Sequence, residues 1–285
     1  MKCFKAVSIF LMLFLMGGCA RHSYFPMAEP LQASFENQVQ IARLSQLLQR
    51  DDLSDDLRSK MLSERGHSFD RVGLRDLARL DYNQSLLLNP VQSDLYNLLG
   101  VYYTQIAEFD AAYDAFNSAL ELEPDNTDAE RNRAIALYYG DRFQLALESI
   151  HAHYLRDPSD PFRQLWRYLI EYQINPEKAR SDLEGAYLKK DSRWEWTLVG
   201  ITLGDIPQNE GLRRIQEGVE DNTHLAQRLT ETYFYLGKRH QMQGNMTSAV
   251  ACFKLALSFN VYDYIENRYA YLELIKIYQE SMEQS

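Results

Sequence analysis

His151 and His153 are the chain's one close pair of histidines, and two residues that near on a helix face different directions. They read as solvent-facing or structurally satisfied side chains, not as a metal clamp. Asp51, Asp52, Asp55 and Asp56 gather four carboxylates, but the run lacks the glycine and the bidentate glutamate of a calcium loop. Ser54 fits a plainer role, capping a helix whose first turn holds Asp55 and Asp56, where carboxylates suit the helix dipole. His67 and Ser68 would need a remote aspartate to form a hydrolytic triad. No phosphate-binding glycine loop, zinc HExxH, CxxC pair or GxSxG elbow occurs. The expectation is a protein without catalytic residue, metal or cofactor.

Cysteine is the other reactive type, and there are three. Cys19 follows a short export-type leader: Lys2 and Lys5, then apolar Ala6 to Met16, then Gly17 and Gly18. That apolar stretch is well under the roughly 20 residues that span a bilayer. Small residues directly before Cys resemble the bacterial lipobox, in which the cysteine becomes the lipid-bearing first residue, although Met16 stands where leucine is usual. Residues 1–18 are then a signal peptide, and Ala20 in place of aspartate suggests sorting to the outer membrane. Residues 19–33, with two prolines and no helical period, read as a lipidated tether. Cys3 leaves with the leader, so Cys252 in Ala-Val-Ala-Cys-Phe is expected to be a buried structural thiol.

The body must position whatever function exists, and composition bounds it. A chain of 285 residues that is 46% hydrophobic and 25% charged is ordinary globular sequence with room for a large core. Thirteen glycines and eight prolines are too few for a turn-dense β-sandwich. A net charge of −10 repels a polyphosphate backbone, so nucleic acid is not an expected partner.

Self-comparison reveals a period of 34 residues. Pro90, Pro124 and Pro158 keep it, as do Ala78, Ala112 and Ala146, Gly66, Gly100 and Ala134, and Tyr82, Phe116 and Ile150. This is the tetratricopeptide pattern, which stacks helix pairs so that each buries its apolar face on the next. Gly100 and Ala112 are small where two helices cross, Phe116 fills the space beside them, and each proline ends a second helix. The predicted fold is an all-α tetratricopeptide solenoid of about 12–14 helices. Residues 34–58 form an N-terminal helical cap and possible dimerisation segment, 59–160 three repeats, 161–229 divergent helix pairs, 230–263 a further repeat, and 264–285 a capping helix and tail. Helices are expected near 161–173, 176–189, 192–203 and 209–219. Most of the 19 tyrosines fall on repeat-core positions, and of Trp194 and Trp196 one is expected to be buried.

Stacked repeats line a concave face with side chains of their first helices. In this register the first repeat turns Lys60, Ser63, His67, Asp70 and Arg71 inward. The second turns Asp94, Asn97, Val101, Thr104 and Gln105, and the third Asp128, Arg131, Ile135, Tyr138 and Tyr139. Asn97, Gln105 and Arg131 suit a peptide backbone or carboxylate, and Tyr138 and Tyr139 offer flat apolar contact.

Four segments in order, LYNLLGVYYTQIAEFDAAYDAFNSALELEPD, RNRAIALYYGDR, DPSDPFRQLWRYLIE and DNTHLAQRLTETYFYLGK, resemble the NlpI lipoproteins of gamma-proteobacterial outer membranes. The likeness runs from Cys19 to about Leu272. It implies a homodimeric periplasmic adaptor that docks the C-terminal-processing serine protease Prc, brings it an NlpC-type peptidoglycan endopeptidase for degradation, and scaffolds other cell-wall hydrolases. A competing reading is a pilotin-like lipoprotein that assists a secretin or another outer-membrane machine.

Overall fold

The computed structural model describes residues 24–283, and within them fourteen α-helices and no strand. The expected signal peptide, Cys3 and the lipidation site Cys19 lie outside the described residues. Among those described, no helix is long and apolar enough to cross a membrane.

An N-terminal helix, α1 (Phe35–Leu47), packs on the first of a series of hairpins. The three period-34 repeats are α2 (Asp55–Arg71) with α3 (Arg75–Leu88), α4 (Ser93–Gln105) with α5 (Phe109–Leu122), and α6 (Thr127–Tyr139) with α7 (Phe143–Arg156). The divergent middle holds α8 (Pro161–Tyr172), α9 (Pro176–Tyr187) and two short helices, α10 (Trp196–Leu203) and α11 (Gln208–Arg214). A last hairpin, α12 (Asn222–Met242) with α13 (Met246–Ser258), precedes the C-terminal helix α14 (Ile265–Glu283).

Local chemistry sets these boundaries. Ser54 Oγ accepts from the Leu57 amide at 3.3 Å to start α2, and Asn126, Asp160, Asn175 and Asp221 cap α6, α8, α9 and α12 in the same way. Pro161 and Pro176 occupy first-turn positions, where a missing amide proton does no harm. Within each hairpin the two helices meet at the small column found in the sequence. A methyl group on Gly100 would stand 2.5 Å from the Phe116 ring, and Gly66 with Tyr82 and Gly237 with Phe253 repeat that contact. The turn between paired helices carries one residue of left-handed backbone in the three period-34 hairpins and the last one: Gly73 (φ 78°), Ala107 (φ 61°), Asp141 (φ 59°) and Gly244 (φ 74°).

The core runs continuously from Val101 in α4 to Leu272 in α14, with a smaller cluster of Ala78, Tyr82, Leu95, Leu99 and Ala115 joining the first two hairpins. Cys252 is buried and unpaired, and burial pushes its thiol up to about 11. Trp196 is buried, whereas Trp194 is half-buried beneath the Arg228 guanidinium, 4.9 Å from its ring centre. His151 is exposed and His153 buried, consistent with their facing different directions on one helix.

Two segments depart from expectation. Residues 24–33 are not a free tether but a strap on the last hairpin. The Leu31 amide donates to the Phe259 carbonyl at 2.9 Å, the Tyr233 hydroxyl to the Pro26 carbonyl at 2.7 Å, and Asn222 pairs with the Glu29 backbone. Helix α14 does more than cover the last hairpin. It turns back into the concavity and packs on α4 as well as on α12 and α13.

Candidate functional site

The sequence places fifteen side chains on the inner face of the first three repeats, and the structure divides them. Asp70, Val101, Thr104, Gln105, Ile135, Tyr138 and Tyr139 are buried and out of a ligand's reach. Helix α14 and its neighbours are the reason. Arg268 Nη2 meets Asp70 Oδ2 at 2.5 Å, and Tyr139 Oη donates to Glu273 Oε1 at 2.9 Å while its ring packs on Tyr269. Tyr138 turns its ring to Phe143 and Trp166 under the Lys238 ammonium, and the Thr104 hydroxyl returns to the Gly100 carbonyl. The expectation of flat apolar contact from Tyr138 and Tyr139 in an open groove is therefore corrected. Helix α14 covers Tyr139, and α7, α8 and α12 enclose Tyr138.

Lys60, Ser63, His67, Arg71, Asp94, Asn97, Asp128 and Arg131 remain exposed or half-buried. Lys60 pairs with Asp56 at 2.8 Å, His67 Nδ1 lies 2.7 Å from the Ser63 carbonyl, and His67 Nε2 lies 3.8 Å from Asp94. Asn97 Oδ1 accepts from Asn132 at 3.0 Å, and Arg131 reaches Asn132 at 3.2 Å and Asp128 at 3.1 Å. Ser68, the triad candidate, is buried with its hydroxyl bonded to the Glu64 carbonyl at 3.0 Å.

Charged groups that sequence reasoning missed hold α14 in place. Lys238 and Glu273, both almost fully buried, meet at 2.5 Å, and Glu273 also accepts from Gln241 at 3.0 Å. Burial disfavours the charged Lys238, but Glu273 and Tyr138 outweigh it and hold the ammonium above its usual pKa. Nothing in composition or period signals these residues, because charged side chains are ordinarily assigned to the surface.

Where the inner face stays open, a cavity of about 330 Å³ opens among α6, α7, α8, α12 and the start of α14. Arg131 and Asp128 of the predicted set line it, together with His153, Asp160, Phe162, Arg163, Trp166, Glu231, Asp263, Tyr264 and Glu266. Asp160 caps α8, and Arg163 donates to the His153 carbonyl. Burial and the nearby Arg163, Arg131 and Arg156 push His153 down to about 4, so the ring is neutral near pH 7. Burial also raises Glu231 well above the usual carboxylate range, helped by Glu266 and Glu195 and opposed by Arg228. The chemistry available is recognition of polar and charged groups between aromatic walls.

Residues 93–126, which comprise α4, α5 and the approach to α6, match the tetratricopeptide repeat family. Among solved structures, a tetratricopeptide repeat protein from Parabacteroides merdae is 16% identical and superposes with a TM-score of 0.51, covering 82% of this chain and 77% of its own. YrrB, described as a TPR protein with an unusual peptide-binding site, is 14% identical over 82% of this chain and 97% of its own, at a TM-score of 0.44. PilF of Pseudomonas aeruginosa is 16% identical over 77% and 99%, also at 0.44. The P. merdae protein shares the fold, and the helix pairs of the chain form a tetratricopeptide solenoid.

Proposed function

Starting from a tetratricopeptide solenoid that carries a lipoprotein-type N-terminal sequence, we propose that this protein is a non-catalytic adaptor held on the periplasmic face of the outer membrane by lipid on Cys19. In this reading it acts as a homodimer, binds a C-terminal-processing protease of the Prc kind together with a peptidoglycan endopeptidase, and promotes degradation of the endopeptidase. The observation that carries the adaptor reading is the inner face. Its reachable residues are polar and already oriented by neighbours, as in the Asn97–Asn132–Arg131–Asp128 chain, and a cavity opens beside them. Such faces hold peptides and helices of other proteins. The segments that resemble the NlpI lipoproteins support this choice of partners and compartment.

Crosslinked recovery of the lipidated protein from membranes, followed by mass spectrometry, is expected to yield a periplasmic protease and a wall endopeptidase. Deleting the gene should lengthen the endopeptidase half-life. Asn97→Ala combined with Arg131→Ala is expected to weaken partner capture by about 1–3 kcal/mol, the scale of lost hydrogen bonds to charged groups, with the fold retained. Recovery of a secretin pore and no protease would favour the pilotin-like reading instead, and unchanged half-lives of all wall hydrolases would overturn the degradation role.

A further inference from the structure

The cavity between α6, α8, α12 and α14 has an unbalanced charge inventory. Five carboxyl groups line it, from Asp128, Asp160, Glu231, Asp263 and Glu266, against the two guanidinium groups of Arg131 and Arg163, while His153 is neutral near pH 7. Both guanidinium groups already have partners within the cavity, Arg131 pairing with Asp128 and also favouring the charged form of Glu266, and Arg163 donating to the His153 carbonyl. Glu231 makes no close hydrogen bond or ion pair among the described residues, although the Arg228 guanidinium favours its charged form from further off. Glu266 is only 6% exposed, and it accepts from the Tyr235 hydroxyl at 3.2 Å, with Arg131 near enough to favour its charged form but not in a close ion pair. His153, at 4% exposure, presents an Nδ1 with no hydrogen-bond partner. Buried carboxylates are ordinarily paired, because an isolated buried charge is costly. Buried Glu266 and half-buried Glu231 form no close ion pair, and the space beside them is walled by Phe162, Trp166 and Tyr264. Aromatic faces with carboxylates behind them attract cations, and the volume is at the lower end of ligand pockets, enough for one long side chain and not for a helix.

We infer that this pocket receives the cationic side chain of a lysine or arginine from an extended segment of a partner protein, with the carboxylates of Glu231 and Glu266 as its counter-ions. The inference rests on the adaptor reading in taking the ligand to be part of a protein. The raised pKa of Glu231 agrees with it, since a carboxyl held above its usual range by burial and by Glu266 and Glu195 is one that gains from an arriving cation.

The test uses the full mature chain and an acetylated, amidated pentapeptide Gly-Ala-Lys-Ala-Gly, with norleucine or glutamate replacing lysine in two control peptides. Binding is followed by the NMR shift of the Trp166 indole proton. The lysine peptide is expected to give a saturable shift, and the norleucine peptide to bind at least tenfold more weakly. Glu231→Gln and Glu266→Gln should each weaken the lysine peptide at least fivefold, and Asp263→Asn, in the loop before α14, serves if either unfolds the chain. No saturable shift, equal binding of norleucine, preference for glutamate, or variants that bind like the parent would overturn the inference. Partner capture from membranes is run on the same variants. Capture that persists in Glu231→Gln alongside failure with peptides sinks the pocket and spares the adaptor. Lysine-specific binding without any captured protein does the reverse.

Discussion

Gly100 and Gly185 both lie within helices, where glycine weakens the element by about 0.5–1 kcal/mol relative to alanine. Only one has a reason in packing. A methyl group at Gly100 meets the Phe116 ring at 2.5 Å, and one at Gly185 meets nothing within 4 Å. Gly100→Leu is therefore expected to overpack the helix crossing and lose about 1–3 kcal/mol, whereas Gly185→Ala should gain about 0.5–1 kcal/mol. Urea denaturation of the two variants reads the difference, and shifts of the same sign would discredit the crossing as the constraint. The crossing was legible in the sequence because small residues recur at Gly66, Gly100 and Ala134. The left-handed turn was not, although it keeps the same period. Gly73, Ala107 and Asp141 share no side-chain type, and Ala107 tolerates a conformation that normally costs a side-chain-bearing residue about 1–2 kcal/mol.

Helix α14 shows the limit of periodic reasoning at the scale of an element. Period identifies which faces of α2, α4 and α6 look inward, but not what lies over them. Because α14 follows the last hairpin, it reads as a cap, and its deep contacts come from residues that a hydropathy argument sends to solvent: Arg268, Glu273 and, facing them, Lys238 and Asp70. Arg268 and Asp70 join residues 198 positions apart, and Arg75 of α3 adds a 2.9 Å bond to Asn267. Removing one partner of such a pair leaves a buried charge unmatched. Asp70→Ala is expected to lose about 3–5 kcal/mol, while Asp70→Leu with Arg268→Met, which fills the same space without charge, recovers most of it. A double-mutant cycle by chemical denaturation measures both. Additive losses would show that the pair is not coupled and that α14 is held by packing alone.

A solenoid of helix pairs contacts only its neighbours, so its stability approximates a chain of local terms and its ends can unfold separately. This molecule has added links that bridge distant repeats. Helix α14 binds α2 through Asp70, α6 through Tyr139 and α12 through Lys238, and the Tyr269 ring packs between Tyr139 and Trp166, tilted to the first and edge-on to the second. The strap of residues 24–33 fastens the N-terminal side to Phe259 and Tyr233 of the last hairpin. Such links make unfolding of one end cost contacts at the other, so the wild-type chain is expected to lose helical circular dichroism and tryptophan fluorescence in one coincident transition. All three tryptophans, Trp166, Trp194 and Trp196, lie outside the three period-34 repeats. Arg268→Ala with Tyr269→Ala removes the Asp70 ion pair and the ring contact with Tyr139, and so weakens the bridge from α14 to the first hairpin and the third. The first hairpins should then melt alone, and ellipticity should fall at lower urea than fluorescence. Coincident curves in that double variant, or separated ones in the wild type, would mean that α14 lies in the concavity without coupling the repeats it touches.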